Sequence, residues 1–238
     1  MAEHIPTDDS GARSLVMSLS GQIDETAIPL PLLLEQALER LIVSAPQRAV
    51  EVMAQYPDQL SSIESKGPLA NFLGRVLVER KLFKEAVEFT RMALRHRWLT
   101  EGGPGIRLAK VLMQDGNVKD AVELLLAVLD LDPANAAAVR GLYECACKSS
   151  DPQQAERHLS RLAALDSSYS TLAYVYKERQ KLPVVQGREV RIGLLSSYVL
   201  DWLVPYLDDE CRRAGLLPQF YLAPFNQYMQ EVLNQGSP

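Results

Sequence analysis

The sequence has few of the residues that build metal sites, disulfide frameworks or nucleophile–base pairs. Its 238 residues include three cysteines and three histidines. Cys145 and Cys147 are separated by one residue instead of the two of a common metal-binding spacing, and three thiols do not make a disulfide framework. We therefore predict that both are apolar packing residues, and we expect no metal site and no cofactor.

Long apolar runs and long basic runs are also absent. The apolar run at residues 27–34 is eight residues long and contains two prolines. Such a run is too short and too broken for a membrane span or a signal peptide. The net charge is −5, from 25 basic and 30 acidic side chains, and no basic cluster would attract nucleic acid. These absences predict a cytoplasmic protein that binds neither membranes nor nucleic acid.

What the sequence does contain is a repeated helical pattern. Ala86, Ala121 and Ala155 follow one another at intervals of 35 and 34 residues. Apolar residues around each alanine recur at spacings of three and four, which gives a helix one apolar side. The recurring positions fall thirteen residues before and four residues after each alanine: Leu73, Leu108 and Leu142, then Thr90, Leu125 and Leu159. The pattern predicts three helical hairpins.

Turn signals separate the helices of the middle hairpin. Asp115-Gly116-Asn117 interrupts the apolar pattern, because glycine adopts the positive φ with which many helices end. Asp132-Pro133 is predicted to open the next helix, with the carboxylate capping free N–H groups. Gly102-Gly103-Pro104-Gly105 is interpreted as a flexible turn between hairpins instead of a phosphate loop, which would follow a strand.

A period of 34 residues made of helix–turn–helix units resembles the tetratricopeptide (TPR) repeat family, over residues 67–168. The resemblance implies an α-solenoid of stacked hairpins whose groove binds proteins or peptides. The residues that match are Leu73-Gly74, Phe83, Ala86, Ala93, Leu108-Ala109, Gly116, Ala121, Pro133, Leu142, Ala155 and Ala163. The leucines and valine expected to be buried are Leu73, Leu77, Val87, Leu108, Leu112, Leu125, Leu142 and Leu159.

We predict a mainly α fold, a TPR-like α-solenoid followed by a partial α/β unit. Residues 1–25 are expected to be a flexible arm, residues 26–181 the helical repeat domain, and residues 187–238 the incomplete α/β unit. Within the repeat domain, helices at 31–43 and 47–56 form a degenerate first pair before a linker at 57–67, and a helix at 169–181 caps the last repeat, with Lys177, Glu178 and Arg179 facing water. The α/β unit comprises a buried strand at 188–197, a helix at 199–214, a strand at 219–223 and a helix at 227–233.

The C-terminal stretch carries a second resemblance. Arg191-Ile192, Leu194-Leu195-Ser196 and Ala223-Pro224-Phe225-Asn226-Gln227-Tyr228 resemble the start of the FkbH-like family, which pairs an SGNH-like region with a haloacid-dehalogenase (HAD) type domain. This resemblance implies a parent enzyme that loads a glyceryl unit onto an acyl carrier protein, with Mg²⁺ only if the full HAD domain follows. TPR arrays before a similar strand also resemble O-linked N-acetylglucosamine transferases, but residues 198–206 lack the histidine that those proteins usually show.

Two short motifs are candidate catalytic sites. Ser196 and Ser197 follow the first predicted strand, where an SGNH-type nucleophile would lie, but no histidine follows them to act as the base. Their hydroxyls are expected to cap the following helix instead. Asp130-Leu131-Asp132 has the spacing of a HAD motif, yet it falls at the end of a repeat helix. A complete enzyme, a binding module and a truncated enzyme remain open; we predict that this chain is not catalytic on its own.

The positions that line a TPR groove give a candidate binding surface. Their polar side chains are Asn71, Arg75, Glu79, Lys110, Gln114, Arg140, Glu144 and Lys148, of which four are basic and two are acidic. A mildly basic groove predicts a partner protein or acidic peptide, and the FkbH-like resemblance implies an acyl carrier protein. The ordinary alternative is that these are solvated surface side chains. The two predicted strands would also leave an open edge, through which the chain would dimerise.

Overall fold

The computed structural model describes residues 30–183, 187–223 and residue 233. The predicted N-terminal arm and almost all of the predicted last helix lie outside these residues. The helices are α1 (Leu30–Ser44), α2 (Pro46–Gln55), α3 (Pro57–Ser61), α4 (Lys66–Glu79), α5 (Phe83–Arg95), α6 (Gly103–Gln114), α7 (Val118–Leu131), α8 (Ala136–Lys148), α9 (Pro152–Leu165), α10 (Tyr169–Arg179) and α11 (Val204–Arg213). The strands are β1 (Arg188–Leu194) and β2 (Leu216–Leu222). The fold is therefore mainly α with a small α/β segment, as predicted.

The chain divides by its internal contacts into unit 1, Met1–Ala138, and unit 2, Val139–Pro238. In unit 1, α4 packs on α5, α5 on α7, and α6 on α7, while α1 and α2 contact each other and α4. In unit 2, α10 packs between α9 and α11, and α11 lies against β2. The domain limits drawn from the sequence stay a prediction.

All eight of the apolar residues predicted for the core are buried. The exposed fraction is 0% for Leu73, Leu77, Leu112 and Leu159 and does not exceed 5% for Val87, Leu108, Leu125 and Leu142. The three repeat alanines are also at 0%. Cys145 is buried as predicted, but Cys147 is exposed, which is a correction. Cys147 lies two residues after the buried Cys145, which is more than half a helical turn, so it faces the outer side of α8.

The first helix of each hairpin ends in the same way. Lys81, Gly116 and Ser150 lie two residues past the ends of α4, α6 and α8 and have positive φ, at 59°, 85° and 55°. The next residue in each case donates its N–H to a carbonyl five residues earlier, at 2.9 to 3.0 Å. This pattern is the Schellman motif. Glycine was predicted at one of the three turns, and lysine and serine occupy the other two.

The turn signal at Asp132-Pro133 was interpreted wrongly. Asp132 follows α7, and its carboxylate accepts hydrogen bonds from Ala134 N at 3.1 Å and from Asn135 Nδ2 at 3.2 Å. Asn135 Oδ1 accepts from Ala138 N at 3.0 Å and is therefore the cap of α8. Asp132 instead orders the two-residue turn in front of that cap, an Asx turn that starts one residue before Pro133.

The glycine-rich stretch is not a flexible turn, because α6 begins within it. A Cβ added at Gly105 would lie 2.8 Å from Val128 Cγ2, and one added at Gly102 would lie 2.4 Å from Val128 Cγ1. Val128 is fully buried, and its β-branched side chain has few alternative rotamers. These glycines therefore allow the start of α6 to approach α7 closely.

The close approach of α6 to α7 leads to a matched test. Gly105→Ala should lower the free energy of unfolding by about 1–3 kcal/mol relative to Gly103→Ala, because the new methyl group overpacks against Val128. A Cβ at Gly103 meets only the mobile end of Arg107, at 3.4 Å. Urea denaturation measures both variants, and Val128→Ala should restore part of the loss at Gly105. Equal stabilities of the two alanine variants would contradict the packing described.

The C-terminal segment forms a parallel pair of strands, as predicted. Val190 lies opposite Pro218 and Ile192 opposite Phe220, with α11 as the crossover between the strands. The helix begins at Val204, after a short 3₁₀ turn at Asp201–Leu203, and is followed by Gly215 at φ 75°. The prediction that β1 is buried was wrong, since its residues alternate between exposed and half-buried. Among the described residues this sheet has two strands, too few for a parallel sheet buried on both faces.

An ion cluster joins three helices of unit 2. Arg179, predicted to face water, has a side chain only 2% exposed. Its Nε lies 3.0 Å from Glu156 Oε1, and its Nη1 lies 3.0 Å from Asp208 Oδ2 and 3.6 Å from Asp209 Oδ1. Arg212 Nε also donates to the Asp208 carboxylate at 3.0 Å. The cluster ties α9 and α10 to α11.

Candidate binding cleft and the residues predicted to be catalytic

A cleft of unit 1 lies between α4 and α6, on the side predicted to bind a partner. Its volume is about 670 Å³, and Asn71 and Arg75 from α4 line it together with Arg107 from α6. Phe72, Val78, Leu108 and Val111 supply apolar walls, and Thr90 of α5 also lines it. An adjoining hollow of about 300 Å³ shares Asn71 and Arg107 with the first. Two cations thus border a largely apolar depression.

Arg75 is only lightly engaged by its neighbours. Its Nε lies 3.9 Å from Glu79 Oε1, and the two side chains are 68% and 65% exposed. Its guanidinium carbon lies 5.6 Å from the centre of the Phe72 ring. An exposed pair of this kind contributes little, so Arg75 can take another anion at small cost. Arg107 forms no ion pair within the part of the chain that the structure describes.

The cleft has a positive lining. No acidic residue is among the side chains that form the 670 Å³ cleft, counting only described residues. Glu101 is among the residues that line the smaller hollow. Trp98, which is 1% exposed, borders the same hollow, and its indole Nε1 has no hydrogen-bond partner among the described residues. Guanidinium groups beside apolar walls suit a carboxylate carried on a partly apolar segment.

The other residues predicted for unit 1 lie outside the cleft. Glu79, Lys110 and Gln114 are exposed on α4 and α6, but they do not line either hollow. Arg107 was missed, because the TPR position rule skips the sixth residue of the helix when Gly102 is counted first. The signal that points to it is its place one helical turn before Val111, which also lines the cleft.

In unit 2 the predicted residues have different surroundings. The guanidinium carbon of Arg140 lies 3.8 Å from the centre of the Tyr174 ring, a cation–π contact between α8 and α10. Glu144 and Lys148 line a separate hollow of about 640 Å³ with Tyr143, Cys147 and Glu178. Arg140 is therefore already engaged, and Glu144 and Lys148 border a hollow with charges of both signs.

The polar centre of that hollow is a tyrosine–glutamate pair. Tyr143 donates its hydroxyl to Glu178 Oε2 at 2.9 Å, and Lys181 Nζ lies 2.6 Å from Glu178 Oε1. Burial, and then hydrogen bonds to Cys147 and Glu178, raise the pKa of Tyr143 well above its usual value. Burial acts to raise the pKa of Glu178, but hydrogen bonds from Lys181 and Tyr143 outweigh it and lower that pKa. Tyr143 is thus a fixed donor to an ionised carboxylate.

The candidate catalytic residues Ser196 and Asp132 form local hydrogen bonds. Ser196 Oγ accepts a hydrogen bond from Tyr198 N at 2.8 Å, and Tyr198 lies three residues before the 3₁₀ turn begins. Ser196 therefore orders a local turn, and the prediction that its hydroxyl caps the following helix was wrong. No hydrogen bond joins Ser196 or Ser197 to a histidine within the described residues. Asp130 belongs to α7, and Asp132 follows it. Among described residues, no three of His, Cys, Asp and Glu group together as metal ligands would.

A comparison with protein families agrees with part of the repeat pattern. A family profile for the tetratricopeptide repeat matches residues 107–174. The search among curated proteins finds no match. Two solved structures are similar in part. YrrB, described as a TPR protein with an unusual peptide-binding site, is 18% identical, with a TM-score of 0.37 over 74% of this chain and 87% of that one.

The second structure is MamA from residue 41 to its end, from Desulfovibrio magneticus RS-1. It is 15% identical, with a TM-score of 0.37, over 77% of this chain and 96% of that one. The family match over residues 107–174 and the helical hairpins agree with a TPR-like helical fold. No helix among the described residues has the length and apolar character needed to cross a bilayer.

Proposed function

We propose that this chain is a protein-interaction scaffold of the tetratricopeptide type, and that the cleft between α4 and α6 binds an acidic segment of a partner protein. The observation that carries the proposal is the lining of that cleft, which includes Arg75 and Arg107 and no carboxylate among its described residues. A carboxylate entering it would gain a charge-assisted hydrogen bond without displacing a strong internal partner.

The chemistry of the cleft favours a peptide over a small anion. Asn71 presents an amide that can both donate to and accept from a peptide backbone. The apolar walls would cover side chains between the acidic groups. A cleft of about 670 Å³ has the size of an ordinary ligand site. The groove of eight polar residues predicted from the sequence remains a proposal. Its strongest support is in unit 1, where Asn71 and Arg75 line the cleft.

The partner preference can be tested with labelled peptides that differ only in acidic content and in a free or amidated C-terminus. Arg75→Glu/Arg107→Glu should weaken binding of the most acidic peptide by about tenfold or more, since two attractions become repulsions. Fluorescence anisotropy gives the affinities, which should also fall as salt rises. Comparing free and amidated termini separates side-chain carboxylates from a terminal one.

A matched control reverses two other exposed arginines of the same unit. Arg95→Glu/Arg97→Glu changes the net charge by the same amount at the C-terminal end of α5, and neither residue lines the cleft. This variant should bind the acidic peptide nearly as well as wild type. Equal weakening by both variants would mean that net charge, and not the cleft, attracts the peptide. Unchanged binding by Arg75→Glu/Arg107→Glu would refute the proposed site.

We further propose that the chain is the N-terminal part of a larger FkbH-like enzyme, with an acyl carrier protein as the acidic partner. The parallel β1–α11–β2 crossover supports this reading, because such a unit begins many α/β domains. In that case catalysis and Mg²⁺ belong to the HAD-type domain, and this chain by itself needs no cofactor and works in the cytoplasm. An O-linked N-acetylglucosamine transferase is the alternative parent. The reading frame beyond Pro238 distinguishes the parents.

A second part of the proposal concerns self-association. The two-stranded sheet of unit 2 has open edges among the described residues, and open edges pair readily with other strands. We expect the chain to dimerise through this sheet.

A further inference from the structure

The hydrogen bonds of the sheet fix which backbone groups point outward. Ala223 donates its N–H to the Leu194 carbonyl at 3.0 Å, in register with the pairing of Gly193 and Tyr221. In a parallel pair, alternate residues direct both peptide groups to opposite edges. The residues of β2 that point away from β1 are therefore Leu216, Pro218, Phe220 and Leu222. Those of β1 that point away from β2 are Glu189, Arg191 and Gly193.

The outer edge of β2 is poorly suited to accept another strand. Pro218 lies in the middle of that edge and has no N–H to donate. Proline within a strand is typical of an edge that is kept unpaired. The outer edge of β2 therefore lacks its central donor.

The outer edge of β1 has all of its donors and acceptors. Glu189, Arg191 and Gly193 are exposed, while Val190, Ile192 and Leu194 on the other face are half-buried. No strand among the described residues pairs with this edge. A seven-residue strand with a free row of N–H and C=O groups is a template for strand addition.

The charged residues at the β1 edge would attract those of a second, antiparallel copy of the same strand. We propose that β1 pairs antiparallel with β1 of a second copy, with Glu189 of each copy opposite Arg191 of the other; this deepens the dimer proposed above. The two opposite-charge pairs would be hydrogen-bonded pairs, since all four residues present their peptide groups outward. Val190 would meet its own counterpart at the two-fold axis. The result is a four-stranded sheet in the order β2-β1-β1-β2.

Neighbouring two-fold registers are disfavoured by the same charges. A shift in one direction places Arg191 opposite Arg191, and a shift in the other places Glu189 opposite Glu189. Like charges directly opposite each other destabilise a strand pair. Of these three registers, only the proposed one places each Glu189 opposite an Arg191.

Charge exchange tests the register. Glu189→Arg and Arg191→Glu should each weaken the dimer by about tenfold or more, because two cross-strand attractions become two repulsions. The double variant Glu189→Arg/Arg191→Glu should dimerise like wild type, and an equimolar mixture of the two single variants should form heterodimers. Sedimentation velocity measures all five samples, and circular dichroism checks that each variant keeps its helix content.

A disulfide test supplies a second readout. Val190→Cys should cross-link two copies, because a non-hydrogen-bonded antiparallel pair brings its Cα atoms to about 4.5 Å, within disulfide range. Ile192→Cys, whose partner would be Arg188, should not. Both are made with Cys147 and Cys211 changed to serine, because neither thiol is buried.

Each outcome decides between the proposals. A wild-type chain that stays monomeric overturns both the dimer and its register. A wild-type dimer that the single charge variants leave intact overturns the register alone. Peptide binding measured on the same variants reports on the cleft of unit 1 separately, since neither Glu189 nor Arg191 lines it.

Discussion

Replacing Arg179 with methionine should lower the free energy of unfolding of unit 2 by about 3–5 kcal/mol. The substitution keeps much of the side-chain volume but removes the one buried cation of the cluster. Asp208 and Asp209, whose side chains are 1% and 6% exposed, then keep only Arg212 and Arg213, which are 20% and 51% exposed. A buried carboxylate that loses its buried cation is destabilising, because the more exposed partners that remain offset less of its desolvation. Hydrogen exchange should show early loss of protection in α10 and α11.

The control for Arg179 lies on the same helix. Lys177→Met removes an exposed cation two residues earlier and should change stability by no more than about 0.5 kcal/mol. Adding Asp208→Leu to Arg179→Met should recover part of the loss, since it removes one of the buried carboxylates that has lost its buried cation. If Arg179→Met proves as stable as Lys177→Met, the cluster does not hold the three helices together.

Leu125→Ala should cost about 2–5 kcal/mol, the range for truncating a buried leucine. Leu125 is 1% exposed in α7, next to Leu126, which is 48% exposed. Leu126→Ala is therefore a matched control with the same chemical change in the same helix, and its cost should be several times smaller. Urea denaturation of the pair measures the difference. Similar costs for the two variants would show that Leu125 does not lie in the core.

The periodic features of the fold were predictable because they repeat locally. The spacing of Ala86, Ala121 and Ala155 fixed the order of the hairpins, and each of the three is buried at 0% exposure. Short apolar stretches bounded by turn residues also predicted the two parallel strands close to their observed positions. A helical wheel needs only neighbours within a few residues, and the sequence provides those directly.

Features that depend on distant residues were missed. Lys177, Glu178 and Arg179 look alike in the sequence as a polar end of a helix, yet Arg179 is buried because Asp208, 29 residues later, faces it. The cleft residue Arg107 was missed for a similar reason, since only the packing of α6 beside α4 brings it into the same cleft as Asn71. The cap of α8 was assigned to Asp132 because the sequence does not show that the chain turns once more before Asn135.

The left-handed turns after α4, α6 and α8 have a consequence for where the repeats begin. The family match starts at residue 107, in the second hairpin, whereas the same backbone closure is already present at Lys81 in the first. No residue between 30 and 66 has it, and a single residue, Ala45, joins α1 to α2. The repeats therefore share a backbone conformation at this turn, which lysine, glycine and serine each adopt, and not a residue type. The closure also occurs at Arg97, after the second helix of the first hairpin. Counting only the first helices that end in this way gives three units among the described residues, and α1 does not end so.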